Sequence, residues 1–531
     1  MTATYDTSVE PLGSASVTTT TGPPRRIGVI DLGSNTARLV VYECRPGRWY
    51  RLVDSIREPV RLAQGMAGRL KPAAVERANA ALELFADFAR GADLDAIEVL
   101  ATSAVREAEN RDEVLSRMAE LGLTARILPG SSEAEYGTLA VANSTQFADA
   151  WVVDMGGGSV QISRMEDRRF VDGDAYPLGA LRLSEAFLGL GEEKRGATTA
   201  KQVKRVEKEL EKQLGHLARR FADEPGPLVA MGGTVRNLAK VVQRKHSYPL
   251  EILHGYRLRR GDLEALTEEI LAKPPEELRQ VPGLSWDRAD LIAAGALVFR
   301  WLLRTSERSE LVISGQGVRE GAFYRLFQPA PHLVDDPRRF AVDNLFALYP
   351  QAPRHTRKVI ELALLLFDEL APLHGLGAAE RETLAAAAKL HDIGMTIGYY
   401  RHHRYGSQLL TAAGLPGWEH SEQAMINLLV RYHRKGTPSP SAYPGLLDAS
   451  HRPRLLALTV CLRLAEHLER SRSGRIQGLR AVVKKQKVVL ELRAEHEPTV
   501  EMWEANKDGP LFEEAFDRVL VLEYAGGGAG L

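Results

Sequence analysis

The alternation of apolar and polar residues changes character twice along the 531-residue chain. Two early stretches resemble each other. Residues 27–40 read IGVIDLGSNTARLV and residues 151–163 read WVVDMGGGSVQIS. Each is an apolar strand, an Asp, a glycine-bearing turn and a second strand. An internal repeat of this kind predicts two duplicated lobes, each offering one hairpin to a shared cleft. Between the hairpins a strand over 96–102 precedes a helix over 106–121, and a short strand at 125–128 precedes a helix over 131–143. Helices follow near 199–222, 234–245 and 287–306, with strand-to-glycine turns at 228–234 and 311–317. Alternating strands and helices predict an α/β core.

After Pro329-Ala330-Pro331 the apolar spacing turns helical from about 335 to 473, as in 359–370 and 455–468. Residues 436–443 read as a loop. From 477 the pattern becomes strand (479–483), strand (487–492), helix (510–518) and strand (519–523). The Gly-rich end, 525–531, is expected to fray. Residues 1–24, rich in Thr, Ser, Pro and Gly without an apolar h-region, read as a disordered leader rather than a signal peptide. The expected domains are therefore the 1–24 leader, lobe I at 25–145, lobe II at 146–330, a helical domain at 335–475 and a small α+β domain at 476–525.

Composition adds limits. The chain is 44% hydrophobic and 26% charged, ordinary for a globular protein. Lys plus Arg total 69, as do Asp plus Glu, which argues against a whole-surface polyanion binder but leaves room for a local basic cleft; duplex nucleic acid is not an expected partner. No apolar run has the length a membrane helix needs. Cys44 and Cys461 lie far apart in no motif, so a cytoplasmic setting is expected.

The candidate chemistry gathers at the turns. Gly33, Ser34, Asn35 and Thr36 in one hairpin, and Gly156, Gly157, Gly158 and Ser159 in the other, can aim backbone N–H groups at phosphate oxygens. Neither turn is a P-loop or a dinucleotide fingerprint, because a strand and not a helix comes next. Asp31 and Asp154 each end an apolar strand, where a carboxylate needs a partner: a divalent cation or an Asx-turn. Thr102-Ser103 opens a helix carrying Arg106 near its start, where a cation opposes the dipole and gains from a bound phosphate; a solvated Arg is the simpler account. Glu133 and Glu135 open another helix, and their different facing allows at most one to enter a cleft.

Together these segments resemble the exopolyphosphatase and guanosine pentaphosphate phosphohydrolase (Ppx/GppA) family over residues 25–475. The matching motifs are DLGSNT (31–36), TSAVREA (102–108), GSSEA (130–134), DMGGGS (154–159), GGT (232–234) and SGQGVREG (314–321). The resemblance implies a two-lobed actin-like ATPase core of duplicated ribonuclease H-like lobes. It implies Glu133 as general base, Asp154 as a Mg²⁺-binding carboxylate, and Asn35, Arg106, Gly233, Thr234 and the glycine turns as phosphate contacts; Asp31 is the second candidate metal ligand, from its strand-end position alone. Mn²⁺ is an alternative metal and a monovalent cation a further cofactor. Gln161 stands where the family usually carries Glu, and a similar Gln in the related ectonucleotidases orients water.

In the helical region His391-Asp392, with His355 upstream and His403 and His433 downstream, resembles the signature of HD phosphohydrolases. Such a set can bind a divalent metal. Glu466 replaces the final Asp of that signature, and Tyr405 replaces a usual His. The other reading is a helical domain whose His and Arg residues, at 401–404 and 431–435, contact a polyanion or a second subunit. The expected function is Mg²⁺-dependent exopolyphosphatase. pppGpp phosphohydrolase or nucleoside triphosphatase is an alternative, and a non-catalytic polyphosphate or alarmone sensor another. A homodimer is expected from the resemblance to long exopolyphosphatases.

Overall fold

The computed structural model describes residues 23–191, 195–349 and 351–526. The proposed leader falls outside these except for its last two residues, as does most of the Gly-rich end. The first sheet contains β1 (Arg25–Leu32), β2 (Ala37–Arg45), β3 (Trp49–Glu58), β4 (Ala96–Ala101) and β5 (Ala125–Ile127), in the order β3-β2-β1-β4-β5. The second contains β6 (Ala150–Met155), β7 (Val160–Glu166), β8 (Arg169–Tyr176), β9 (Leu228–Met231), β10 (Arg257–Arg259) and β11 (Glu310–Ile313), in the order β8-β7-β6-β9-β11-β10. β1 runs antiparallel to β2 and parallel to β4; β6 runs antiparallel to β7 and parallel to β9. The repeat read from two hairpins thus extends over both sheets.

The third strand of each hairpin unit, β3 and β8, escaped the pattern reading. Both lie at a sheet edge and carry largely exposed, charged positions, so neither has a continuous apolar run. The single helix expected over 106–121 is broken into Ser103–Glu107 and Asp112–Glu120. Asn110 sits in the break, where its amide accepts from Leu70 N at 2.8 Å and donates to Leu70 O at 3.2 Å. That side-chain bridge replaces helical backbone bonding.

Two helices cross between the lobes. The Gly130–Ala142 helix packs beneath β7 and β8 of the second sheet, although it precedes that sheet in sequence. The Val318–Phe327 helix returns to pack Ala322, Phe323 and Phe327 against Ile27, Val29 and Tyr42 of the first. The two helices touch at Gly321, where a Cβ would lie 2.0 Å from Tyr136 O. Glu133 is therefore carried on the side of the second lobe, facing the first.

Residues 337–468 are helical, as expected. β12 (Ile476–Val483), β13 (Lys487–Ala494) and β14 (Val519–Tyr524) form a third sheet. Between β13 and β14 lie two helices, Gly509–Phe516 and the unanticipated Thr499–Ala505. This sheet shares one apolar core with the helices: Leu366, Leu462 and Leu468 pack in the same cluster as Val488, Leu490 and Phe512. The helical unit docks on the second lobe through His420, whose ring meets the Tyr248 hydroxyl at 2.8 Å and His254 O at 3.0 Å. Among the described residues no helix is long and apolar enough to cross a membrane.

Candidate active site

The two glycine turns close in the same way. Gly33 N donates to Thr36 O at 3.1 Å, and Gly156 N donates to Ser159 O at 2.9 Å. In each hairpin the Asp pairs with a polar residue across the ladder, Asp31 with Arg38 and Asp154 with Gln161. The turns abut. A Cβ on Gly157 would lie 2.9 Å from Asn35 Cβ, and one on Gly158 would lie 2.3 Å from Ser103 Oγ and 2.5 Å from Ser34 Oγ. Ser34 and Ser103 are themselves hydrogen-bonded at 2.7 Å. Only glycine permits this approach. Among the described residues the N–H groups of Ser34, Asn35, Gly157 and Gly158 donate to no backbone oxygen, which leaves them for an anion.

These turns line a cavity of about 440 Å³ between the lobes. Asp31, Glu133, Asp154 and Gln161 face it, together with Gly33 to Thr36, Gly156 to Ser159 and Gly233. Two expected residues are placed otherwise. Arg106 lines a neighbouring recess with Ser131 and Tyr176, and its Nη1 binds Glu133 Oε2 at 3.1 Å. It holds the carboxylate instead of standing free in the cavity. Thr234 is buried with its hydroxyl unpartnered among the described residues, and its methyl packs on Gly295. The helix starting at Gly233 turns it away from the cavity.

The cavity also holds cations that the motif reading left without a role: Arg38, Arg57, Arg236, Arg288 and Arg319. Arg319 and Arg236 lie in or beside the quoted glycine motifs, so spacing could have flagged them. Arg57 sits on an edge strand and Arg288 in a short turn, with no sequence signal. Arg319 Nη1 pairs with Asp31 Oδ2 at 3.0 Å, whereas among the described residues the Asp154 carboxylate accepts no hydrogen bond. Asp31 thus has a guanidinium in direct contact, whereas among the described residues Asp154 has cationic neighbours but no direct ion pair. Glu135, the other acid of its helix, faces away and pairs with Arg325 at 3.6 Å.

The electrostatics fit the crowding. Burial, offset by Arg106 and reinforced by Asp154 and Asp31, pushes Glu133 up to about 7. Burial also raises Asp154 to about 6, against the pull of Arg236. Burial and then the neighbouring Arg57 push Arg288 down to about 10. Acids and bases both sit in less comfortable states than in water, as expected of a site built for charged ligands.

In the helical unit, His355, His391 and Glu466 place donor atoms within 4.8 Å of one another, as do Asp392, His402 and His433. His403 is therefore a correction: the adjacent residue His402 takes the expected place, because the helix His402–Ala413 begins there and turns the His402 ring inward. Glu466, the departure from the HD pattern, occupies the cluster itself. Burial and the nearby His391 push His433 down to about 3, so its ring is neutral.

Comparison with known proteins agrees with this geometry. Residues 40–329 match the Ppx/GppA phosphatase family, and residues 338–511 match Ppx/GppA phosphatase, domain III. A "Guanosine-5'-triphosphate,3'-diphosphate pyrophosphatase" from Pseudoalteromonas atlantica is 25% identical over 455 residues, covering 83% of this chain and 86% of that protein. The crystal structure of an exopolyphosphatase from Cytophaga hutchinsonii superposes with a TM-score of 0.52 at 22% identity, covering 57% of this chain and 98% of that one. The Aquifex aeolicus family member is 27% identical with a TM-score of 0.49, covering 57% of this chain and 97% of its own. The chain belongs to the Ppx/GppA phosphatase family, an enzyme family of phosphoanhydride hydrolases.

Proposed function

We propose that the interlobe cavity hydrolyses the terminal phosphoanhydride of inorganic polyphosphate and releases orthophosphate. One observation carries the choice of substrate. The cavity lining combines five arginines with the two turns and contains no aromatic side chain among the described residues. Such a lining suits a bare phosphate chain better than a purine, which gains most from stacking.

In this reading the free N–H groups of both turns and Arg236 and Arg319 hold the terminal phosphoryl oxygens. Glu133, held by Arg106, takes the proton of the attacking water. Gln161 donates to Ser159 Oγ at 2.7 Å, which leaves its carbonyl oxygen to orient that water. A divalent cation at Asp154 would offset charge on the phosphoryl oxygens. Phosphoryl transfer needs little more than this positioning and neutralisation.

The name of the Pseudoalteromonas relative favours a second reading, with pppGpp as substrate. Phosphate release from long-chain polyphosphate, short-chain polyphosphate and pppGpp, with Mg²⁺ present and absent, separates the two. Faster release from pppGpp than from long polyphosphate at matched concentration of ends would reverse the assignment.

A further inference from the structure

One imidazole that does not line the cavity touches two of the elements that build it. His254 lies between the Gly233–Lys245 helix and β10. Its Nε2 meets Ser144 O at 2.7 Å, and Gly315 N donates to its Nδ1 at 3.1 Å. A carbonyl only accepts, so Nε2 carries the proton, and Nδ1 keeps the lone pair that the Gly315 N–H requires. The two backbone partners therefore fix one neutral tautomer. The backbone of His254 is held as well: His420 Nε2 donates to His254 O at 3.0 Å, while His420 Nδ1 accepts from the Tyr248 hydroxyl at 2.8 Å.

Both side-chain partners lead back to the cavity. Ser144 follows the Gly130–Ala142 helix, and its hydroxyl donates to Ala140 O at 2.7 Å, so its carbonyl is tied to the helix that carries Glu133. Gly315 lies in the turn between β11 and the Val318–Phe327 helix. Among the described residues its N–H has no backbone acceptor, and its carbonyl accepts from Arg236 Nη1 at 2.8 Å. Arg236 also donates from Nε to Gly232 O at 3.0 Å. Among the described residues no carboxylate pairs directly with this guanidinium, so two carbonyl oxygens set where it points. One of the two belongs to the residue whose N–H His254 holds. A Cβ on Gly315 would lie 3.0 Å from His254 Cβ, so the turn and the ring are already in close contact. Arg236 itself lines the cavity with Asp154.

We infer that His254 is a positioning residue for phosphoanhydride hydrolysis, acting through Gly315 to aim Arg236 and through Ser144 to keep that arginine in register with Glu133. The inference rests on the reading that Arg236 holds the terminal phosphoryl oxygens. Alignment of this kind has a large effect on rate when a binding group and a base must meet on one phosphorus. The rival account is a ring that only stabilises the fold. That account lowers the denaturation midpoint on substitution and leaves the contribution of Arg236 independent of His254.

Two conservative replacements separate the ring's two nitrogens. In His254→Asn the amide oxygen stands near the place of Nδ1 and can still accept from Gly315. In His254→Gln the amide nitrogen reaches toward Ser144 O, and the acceptor for Gly315 is lost. Each is made in the full chain with and without Arg236→Gln. kcat/KM is measured with Mg²⁺ on polyphosphate and on pppGpp, so the coupling is read on whichever is turned over. Arg236→Gln alone should lower kcat/KM about 10²-fold. His254→Gln should lower it about tenfold or more in the parent chain, and by less than about twofold beside Arg236→Gln. His254→Asn should stay within about threefold of the parent. Equal losses in both backgrounds overturn the inference, as does a tenfold loss in a folded His254→Asn chain. An unchanged rate in Arg236→Gln overturns the placement of Arg236 on which the inference rests. Circular dichroism identifies any variant that misfolds. If His254→Gln does so, His254→Asn decides; loss of the fold in both assigns the ring to stability alone and overturns the inference.

Discussion

The interlobe cavity and the helical centre both gather carboxylates in a small space, yet they solve the resulting repulsion differently. In the cavity, Asp31, Glu133 and Asp154 are surrounded by guanidinium groups and unpartnered backbone N–H groups. In the helical centre, Asp392 and Glu466 meet the Nε2 atoms of imidazoles whose Nδ1 atoms face backbone carbonyls. The first arrangement presents hydrogen-bond donors; the second presents carboxylates against imidazoles. The cavity is open and made of turns, while the centre is buried and made of helix ends.

The sharpest way to break this comparison is Glu133→Gln. Loss of the general base should lower phosphate release by about 10² or more while the fold stays unchanged. Wild-type turnover in that variant would remove Glu133 from the chemistry. Asp154→Asn should lower release by a similar factor, on the order of 10², and blunt its Mg²⁺ dependence.

A smaller effect tests the contact between the turns. In Gly158→Ala the new methyl collides with the Ser34 and Ser103 hydroxyls, so their hydrogen bond must break or the two turns must shift apart. Such overpacking costs about 1–3 kcal/mol, read as a lower denaturation midpoint. Release should fall about tenfold or more, because the turns no longer align on one phosphate. An unchanged rate would show that the turns act independently.

The smallest effect is in pH. Glu133 has an ordinary carboxyl value of 4.5 and is raised to about 7 in the fold. The folded state binds this proton more tightly, so the stability it contributes is full below about 4.5 and is lost as pH rises through about 7. Glu133→Gln should therefore raise the melting temperature at pH 8 and leave it nearly unchanged near pH 4. As a base, Glu133 must be ionised, so without added cation the release rate should fall as pH drops below about 7. A bound divalent cation at Asp154 should move that inflection downward.

Legibility in the sequence differed between the two regions for a physical reason. Both hairpins could be read because a buried central strand, an Asp and a glycine turn leave a compact local signature, and the register Asp31–Arg38 and Asp154–Gln161 follows from it. The edge strands β3 and β8 left no such mark, since their positions are largely exposed. In the helical centre the His-Asp pair was visible. The choice of His402 over His403 was not, because adjacent residues differ by about 100° of helix rotation and only the start of the helix sets which faces inward.

Taken alone, the sequence determined the duplicated α/β core, the helical texture after residue 335 and the motifs that bring Glu133, Asp154 and the glycine turns to one place. These are local facts, written in apolar period and turn chemistry. Tertiary structure decided the rest. It crossed the Gly130–Ala142 and Val318–Phe327 helices between the lobes, paired Arg106 with Glu133 and Arg319 with Asp31, and turned Thr234 away from the cavity. It also drew Glu466 to His355 across more than a hundred residues. Contacts of that kind depend on how packed surfaces meet in space, which no local pattern of residues records.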